Sequence, residues 1–289
     1  MNQINLRVGG VPEHFNLPWH LAIESDAFAD TGANVSFSEY GGGTGQLTNA
    51  LENSDLDIAV LLFEGAVRKI LNGGCYRVVK LFTDTALIWG LHVANNSPIQ
   101  SIEEAKGKRY AISRFGSGSH LIAIVDAAER GWPTDDIDFV KIGDLSGARK
   151  SLAAGQSDVF LWEKFMTKPL VDLGEFRRID DRIVPWPAFV IAVRDDVLES
   201  CEVAVSKVLQ VVADVCQKLK NDPAAKQVIA QRYELLPEDA EAWLQRTEWN
   251  NDFEFPEDSL KTVFDYLKML NLLDDPQVDY RSAWQTITA

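Results

Sequence analysis

Cysteine and histidine are scarce in this chain of 289 residues. Its three cysteines, Cys75, Cys201 and Cys216, form an odd number without a Cys-x-x-Cys pair, which predicts neither a disulfide framework nor a zinc site. Of the four histidines, His92 lies in a predicted strand without an acidic or histidine neighbour at metal-ligand spacing. We therefore expect no metal site and no cofactor.

Basic residues are also few, since 28 of them stand against 43 acidic residues and give a formal net charge of −15. This charge repels nucleic acid and anionic membrane surfaces at long range, so neither is an expected partner. No apolar run reaches the roughly 18 residues of a membrane span, and membrane insertion is not expected. An anionic ligand would have to be held by local geometry.

Apolar residues are plentiful at 46%, enough for one large or two modest cores, and we expect two lobes. In the first part of the chain, three strands are each followed by a helix, and two more strands follow. Such units predict a parallel sheet with its ligand beyond the carboxyl ends of the strands. The predicted strands are residues 4–8, 33–37, 56–62, 76–82 and 88–94, and the loops expected to form the floor of the site are 10–19, 40–46 and 62–65.

A second set of alternating elements predicts a second parallel sheet. Its elements are helix 101–106, strand 110–113, helix 119–130, strand 138–142, helix 145–154 and strand 159–162. The same rule places residues 113–120, 143–144 and 162–163 on the rim of the site. A last strand is predicted at 189–193, and the chain is helical from Leu198 onward.

The segment 111–120, Ala-Ile-Ser-Arg-Phe-Gly-Ser-Gly-Ser-His, is the central candidate site because a strand here enters a helix through a turn of small residues. The first N–H groups of a helix have no partner within the helix, and the helix dipole adds positive charge, so this turn predicts an anion site. Ordinary helix capping by a serine is the alternative. The candidate residues are Ser113, Arg114 as a bidentate donor, Gly116, Ser117, Gly118, Ser119 and a neutral His120.

Further candidate ligand contacts lie on the other predicted loops and strand ends. Glu64 opens a helix, and compensation of the helix dipole explains it as well as a ligand contact does. Trp89 lies beside a predicted crossover, where it either lines the cleft or packs the hinge. The glycines near residue 42 let a backbone approach a ligand closely, although a flexible turn explains them nearly as well. These candidates are Glu13, His14, Phe15, Asn16, Trp19, Gly42, Gly43, Thr44, Glu64, Trp89, Trp162 and Glu163.

The order and spacing of these features resemble the type II periplasmic-binding-protein fold, in particular the nitrate, sulfonate and taurine receptors and the thiamine-pyrimidine synthase relatives. The resemblance extends over roughly residues 4–193. The matching features are the loop 10–16, Ser-Asp-Ala-Phe at 25–28, Leu-Asp-Ile-Ala at 56–59, the turn 116–120 and Trp162-Glu163.

The resemblance implies an α/β fold of two lobes, each a mostly parallel sheet flanked by helices, with a helical C-terminal tail that completes lobe 1. It assigns residues 1–93 to the first part of lobe 1, residues 94–187 to lobe 2, and residues 188–289 to the return strand and tail of lobe 1. The two hinge strands would be residues 93–96 and 187–190.

Two features of the family are missing from this chain. Strand-like residues begin at Ile4, which leaves no room for an export signal, and the cysteine-rich motif of the pyrimidine synthases is absent. The chain therefore looks more like the signal-less cytoplasmic members of bacteria and fungi, and we expect a cytoplasmic protein. If a signal peptide has been removed, the protein would be periplasmic and an ABC permease would be a partner.

We expect a monomer that binds a small anionic or zwitterionic organic molecule, heteroaromatic ones included, in the cleft between the lobes and closes on it by hinge motion. An enzyme on the same scaffold, with thiamine-pyrimidine or menaquinone-pathway chemistry, is the alternative. Its acid-base groups would be His14, His120 and Glu64, although no nucleophile elbow or paired-carboxylate motif accompanies them. An interaction module with a vestigial cleft is a third hypothesis.

Overall fold

The computed structural model describes residues 4–135 and 137–287, in which strands and helices alternate over most of the chain. The strands are β1 Ile4–Gly10, β2 Ala33–Glu39, β3 Ile58–Leu62, β4 Tyr76–Leu81, β5 Ile88–Ala94, β6 Tyr110–Ile112, β7 Phe139–Lys141, β8 Val159–Glu163, β9 Phe176–Ile183 and β10 Phe189–Arg194. The α-helices are α1 Leu17–Glu24, α2 Thr44–Glu52, α3 Phe63–Leu71, α4 Gly118–Glu129, α5 Leu145–Ala153, α6 Lys164–Asp172, α7 Asp195–Asn221, α8 Ala225–Tyr233, α9 Pro237–Arg246 and α10 Glu257–Met269.

These strands form two sheets of the same design. The first has the order β2-β1-β3-β10-β4, and the second has the order β7-β6-β8-β5-β9. In the first sheet β10 runs antiparallel to both neighbours, and in the second sheet β5 does so. The remaining strands of each sheet share one direction, so each sheet is mostly parallel, as the sequence predicted.

The centre of the first sheet shows how the sequence specifies this arrangement. Ile58, Ala59, Val60 and Leu61 in β3 are exposed by 1% or less. A near-continuous apolar strand is typical of a sheet covered on both faces, and α2 and α3 pack against β3. The strand that the sequence marks most clearly therefore becomes the middle of the first core.

The chain passes between the sheets twice, through residues 82–87 and residues 184–188. The two crossovers lie side by side, since the Ala188 N–H donates to the Thr85 carbonyl oxygen at 2.9 Å. The predicted hinge at 93–96 is not where the chain crosses, because that segment ends β5 inside the second sheet. The predicted lobe boundary after residue 93 falls inside β5, which pairs with β8 and β9 in the second sheet.

Two elements of the second lobe differ from those that the sequence predicted. The edge strand β9 was not predicted, because its sequence Phe-Arg-Arg-Ile-Asp-Asp-Arg-Ile is dominated by charged residues that obscure the alternation of a strand. Ion pairs stabilise it instead, including Arg130 with Asp180 at 2.5 Å and Lys164 with Asp181 at 2.6 Å. The helix predicted at 101–106 is a 3₁₀ turn, Glu103–Ala105.

The C-terminal helices lie against the first sheet, as the resemblance implies. Helix α7 packs on α1 and β10, and α10 packs on α3. The apolar stripe of α7, which includes Val205, Val208, Leu209 and Val212, is fully buried in this contact. Among the described residues, no helix combines the length and apolarity required to cross a bilayer.

Candidate functional site

A cavity of about 40 Å³ lies between the two sheets and is lined from both. The loops after β1, β2 and β6 and the ends of β3 and β8 meet here, which are the carboxyl ends of parallel strands where ligands of open α/β sheets bind. The first lobe contributes Val11, Glu13, Gly42, Gly43, Thr44, Leu62 and Phe189. The second lobe and the crossover before it contribute Leu87, Trp89, Ser113, Ser117, Gly118, Ser119, Trp162 and Glu163.

Two helix N-termini reach the cavity, one from each lobe. In the first lobe α2 begins at Thr44, behind Gly43, whose φ of +71° lies in the left-handed region that favours glycine. In the second lobe α4 begins at Gly118, and the described residues offer no hydrogen-bond acceptor to the N–H groups of Gly118 and Ser119. The cavity is therefore supplied with free donors and positive dipole ends from opposite sides.

The serines of the turn before α4 are bonded within the turn itself. Ser117 is the N-cap, and its Oγ accepts from the His120 N–H at 3.4 Å. Ser119 Oγ accepts from the Ser113 N–H at 3.1 Å and lies 3.1 Å from Ser117 Oγ. Capping thus explains Ser117, and the hydroxyls bond the turn to itself beside the cavity.

Two glutamic acids face the same cavity from opposite lobes. Glu13 is 7% exposed and Glu163 is 3% exposed. Burial raises the pKa of Glu13 to about 8. Burial also raises the pKa of Glu163 well above its ordinary value, and the charge of Glu13 raises it further. Both carboxyls therefore retain a proton at pH values well above those at which glutamic acid usually ionises, as expected for a carboxyl pair removed from water.

His14 lies in the core behind the cavity and does not line it. Its ring stacks on Trp243, with the ring centroids 4.2 Å apart, and is fully buried. The Nε2 atom lies 3.7 Å from Glu163 Oε2, but burial lowers the pKa of His14 to about 3. We interpret this contact as one between neutral groups, since both charged forms are disfavoured by burial.

Arg114 is directed at the opposite lobe and not into the cavity. Its Nη1 donates to the Gly42 carbonyl oxygen, and its side chain occupies the space where a Cβ atom on Gly42 or Gly45 would lie. In this geometry Arg114 joins the loop after β6 to the loop after β2. The sequence predicted an arginine near the ligand, and the structure shows an arginine that links the lobes beside the cavity.

Two tryptophans form part of the cavity wall. Trp89 is 4% exposed and sits at the start of β5, where its ring lies beside the backbone of Gly118. Trp162 is half-buried and stacks on Phe160, with centroids 5.4 Å apart at an interplanar angle of 23°. Both rings are thus fixed before any ligand arrives, which lowers the entropic cost of a contact with a ligand.

Three predicted contacts from the loop after β1 and the start of α1 belong to the core of the first lobe. Phe15 packs on Phe189, with ring centroids 4.9 Å apart. Asn16 Nδ2 donates to the Val11 carbonyl oxygen at 2.8 Å and so fixes the loop that carries Glu13. Trp19 is fully buried. These residues shape the loop but do not line the cavity.

The other predicted contacts that lie outside the cavity have structural partners. Glu64 Oε2 accepts from Trp186 Nε1 at 2.9 Å, and burial raises the pKa of this carboxyl to about 7. His120 Nδ1 accepts from the Gly116 N–H at 3.1 Å, which requires an unprotonated Nδ1. Burial, with a smaller contribution from the charge of Arg68, lowers the pKa of His120 to about 4 and favours this neutral form.

Sequence reasoning missed the apolar part of the cavity wall. These residues are Val11, Leu62, Leu87 and Phe189. Leu62 could have been found, because it is the last residue of the apolar strand that precedes α3. Phe189 could not have been found in this way, because it begins β10, which runs antiparallel to its neighbours. The first residue of β10, and not its last, therefore lies at the cavity edge of the sheet.

Metal ligation has no support in the part of the chain that the structure describes, where no three His, Cys, Asp or Glu side chains are grouped suitably for an ion. The described cysteines are unpaired, with Cys75 exposed and Cys216 buried. The polar groups of the cavity are backbone N–H groups, hydroxyls and two carboxyls, a set suited to hydrogen bonding.

Comparison with known proteins identifies similar chains. Residues 89–182, which coincide with most of the second lobe, match a family model described as Ca3427-like PBP. The structure of the Candida albicans CA3427 gene product, described as having the generic periplasmic binding protein fold, is 25% identical with a TM-score of 0.91 over 99% of this chain and 98% of that chain. No curated protein sequence matches the chain.

Two sulfonate-binding proteins have similar structures. The alkanesulfonate-binding protein SsuA from Xanthomonas axonopodis pv. citri, bound to MOPS, is 18% identical with a TM-score of 0.84 and coverage of 99% of both chains. The periplasmic aliphatic sulphonate binding protein SsuA from Escherichia coli is 17% identical with a TM-score of 0.71, over 98% of this chain and 92% of that chain. The overall architecture is the same in all of them.

Proposed function

We propose that this protein, which has the type II periplasmic-binding-protein fold, binds a small anionic or zwitterionic organic molecule between its two lobes. The observation that carries the proposal is the meeting of two helix N-termini, those of α2 and α4, at one cavity from opposite lobes. Each N-terminus presents unbonded N–H groups and the positive end of a helix dipole. An anionic group between them would bond to both lobes at once.

The neutral state of the other polar groups supports the same proposal. Because the pKa of Glu13 is raised to about 8, its carboxyl does not repel an anion at neutral pH. The hydroxyl and N–H groups around it are uncharged hydrogen-bond donors. An anion therefore gains hydrogen bonds in the cavity at little electrostatic cost.

The size of the cavity favours a small anionic group. A volume of about 40 Å³ has space for only a few water-sized groups. A sulfonate or carboxylate head with a short chain can enter a space bordered by both lobes only while the lobes are apart. We therefore propose that the lobes open about the two crossovers to admit the ligand and close when it bridges them.

Calorimetry with chemically matched ligands tests the proposal. Ethanesulfonate and propionate should bind with a measurable heat and raise the unfolding temperature, whereas neutral ethanesulfonamide and propionamide should not. Small-angle scattering should report a smaller radius of gyration with the bound anion than without it. The proposal is wrong if neither the anions nor their amino derivatives bind at millimolar concentration.

The enzyme hypothesis remains a second candidate because of one observation. His14, His120 and Glu64, the acid-base groups expected from the sequence, all lie outside the cavity, but the Glu13 and Glu163 pair lines it. Carboxyls with raised pKa values in a cleft are typical of acid-base sites. A metabolite mixture incubated with the protein should be depleted of one component if the protein only binds, and chemically changed if it catalyses a reaction.

We further propose a cytoplasmic location. The described cysteines Cys75, Cys201 and Cys216 form no disulfide, and unpaired thiols are typical of reducing compartments. Cell fractionation of the native source tests this point, and recovery in the periplasm would refute it and make an ABC permease the expected partner.

A further inference from the structure

The Glu13 side chain faces the cavity without a partner. It is 7% exposed, it lines the cavity, and among the described residues its carboxyl makes no hydrogen bond or ion pair. A buried carboxyl that lacks a partner is costly, and native proteins retain such groups mainly where a ligand or water completes them. The loop that carries it is fixed, because Asn16 Nδ2 bonds to the Val11 carbonyl oxygen.

Glu163 approaches the same space from the second lobe with one oxygen already engaged. Its Oε2 accepts from the Met166 N–H at 2.7 Å and caps α6. The cavity is thus bordered by carboxyl groups of both lobes as well as by helix N-termini of both lobes. Its two kinds of polar group suit opposite charges, since carboxylates attract cations and N-termini attract anions.

We infer that Glu13 and Glu163 form a receptor for an ammonium group, so that the ligand is a short zwitterion whose anionic end lies at the N-termini of α2 and α4. This inference rests on the proposed function and specifies its ligand class. The rings of Trp89 and Trp162 border the same cavity, and tryptophan faces attract ammonium groups. A hydroxyl on the ligand would satisfy one carboxyl oxygen but would not stabilise an ionised carboxyl as an ammonium group does.

Ammonium binding at this pair displaces a proton. In the free protein burial holds the carboxyls in the protonated form, and an adjacent ammonium group favours the carboxylate. The ligand nitrogen keeps its three protons, the O–H bond of one carboxyl breaks, and that proton passes to solvent. No covalent bond to the ligand forms.

Other titratable groups near the pair do not replace it. Tyr233 is the group on α8 whose pKa is affected by Glu13, and it stays protonated because burial raises its pKa further above its ordinary value. On the Glu163 side, the neutral His14 lies 3.7 Å away, Lys164 follows in α6, and Arg246 lines a smaller adjoining cavity with Glu163. Lys164 offsets only part of the rise in the pKa of Glu163, which burial and the charge of Glu13 hold well above its ordinary value. Glu13, with a pKa of about 8, is therefore the carboxyl that we expect to exchange its proton.

Matched ligand pairs test the ammonium receptor apart from the anion site. β-Alanine should bind at least about tenfold more tightly than propionate, and taurine at least about tenfold more tightly than ethanesulfonate. In unbuffered sodium chloride at constant pH near neutrality, β-alanine should release close to one proton per bound molecule and propionate none. Equal affinities within both pairs would refute the inference while leaving the anion site intact.

Variants then assign the effect to the carboxyl pair. Glu13→Gln should keep propionate binding and lose both the preference for β-alanine and the proton release, and Glu163→Gln should reduce the preference independently. Glu199→Gln is the matched control, because this exposed acid follows β10 at the opposite end of the first sheet, and it should behave as wild type. Persistence of the β-alanine preference in both cavity variants would refute the assignment to the carboxyl pair. If none of these ligands binds to the wild type, the proposed function itself is wrong.

Discussion

The contact between Gly118 and Leu62 gives a direct way to force the lobes apart. Gly118 is the first residue of α4 in the second lobe, and Leu62 ends β3 in the first. A Cβ atom on Gly118 would lie 2.2 Å from Leu62 Cδ1 and 2.8 Å from a ring atom of Trp89. Gly118→Ala therefore places a methyl group against Leu62, which occupies this space only while the lobes are in contact, and against Trp89 of its own lobe.

The expected cost follows from these distances. An overlap of this size requires a shift of more than about 1 Å, and overpacking of this kind costs roughly 1 to 3 kcal/mol. If lobe separation relieves the strain, the closed form loses about 5- to 150-fold in population and the ligand loses the same factor in affinity. The free energy of unfolding should fall by less than this cost, because only the Trp89 contact remains when the lobes separate and alanine is a better helix former than glycine by up to about 1 kcal/mol.

Small-angle scattering and calorimetry of Gly118→Ala decide between lobe opening and local rearrangement. With ethanesulfonate or propionate present, we expect a larger radius of gyration than wild type, and we expect weaker binding of either anion. The matched control is Gly41→Ala in the facing loop, since a Cβ atom there would meet no atom within 4 Å and should change neither quantity. A variant with the radius and affinity of wild type but reduced stability would show that Leu62 rearranges locally and that this contact does not control closure.

Three further predictions follow from single side chains. Arg114→Ala removes the bond to the Gly42 carbonyl oxygen and, with ligand present, should enlarge the radius of gyration. It should weaken ligand binding by roughly 0.5 to 2 kcal/mol, which is less than the loss of a direct charge contact. A larger loss in calorimetry would restore Arg114 as a ligand contact. Trp162→Ala should weaken binding by roughly 1 to 3 kcal/mol with little change in thermal stability, and the reverse pattern would assign the ring to the core. The raised pKa of Glu13 contributes stability that is complete below the ordinary value of 4.5 and is lost as the pH rises to about 8. Urea unfolding should therefore show roughly 2 to 5 kcal/mol less stability above pH 8 than below pH 5 from this group. Glu13→Gln should remove that part of the pH dependence.

Local sequence accounts for the architecture of each lobe. Residues 58–61 form a buried central strand because a continuous apolar run cannot leave either face in water. The turn before α4 was predicted from its small residues, and the cavity is lined by loops at the carboxyl ends of strands, the position that the alternation of strands and helices indicated. Such features depend on residues that are close in the chain, and periodicity reports on them directly.

Sequence periodicity could predict neither the charged strand β9 nor the sheet to which β5 belongs. The alternation of β9 is obscured by charged side chains that are paired with residues on other elements, such as Arg130. β5 is as apolar as a strand of the first lobe, and its sequence does not specify which sheet it joins. Both outcomes depend on partners that are remote in the chain.

The amino-acid sequence by itself determined where helix N-termini and acidic groups occur, because caps, turns and strand ends are set within a few residues. Only the tertiary structure decided what these groups face. Arg114 points at Gly42 and Glu64 at Trp186, whereas Glu13 and Glu163 meet across a cavity although 150 positions separate them in the chain. The physical reason is that burial, pKa and the direction of a side chain are set by the packing of one lobe against the other, which no local pattern contains.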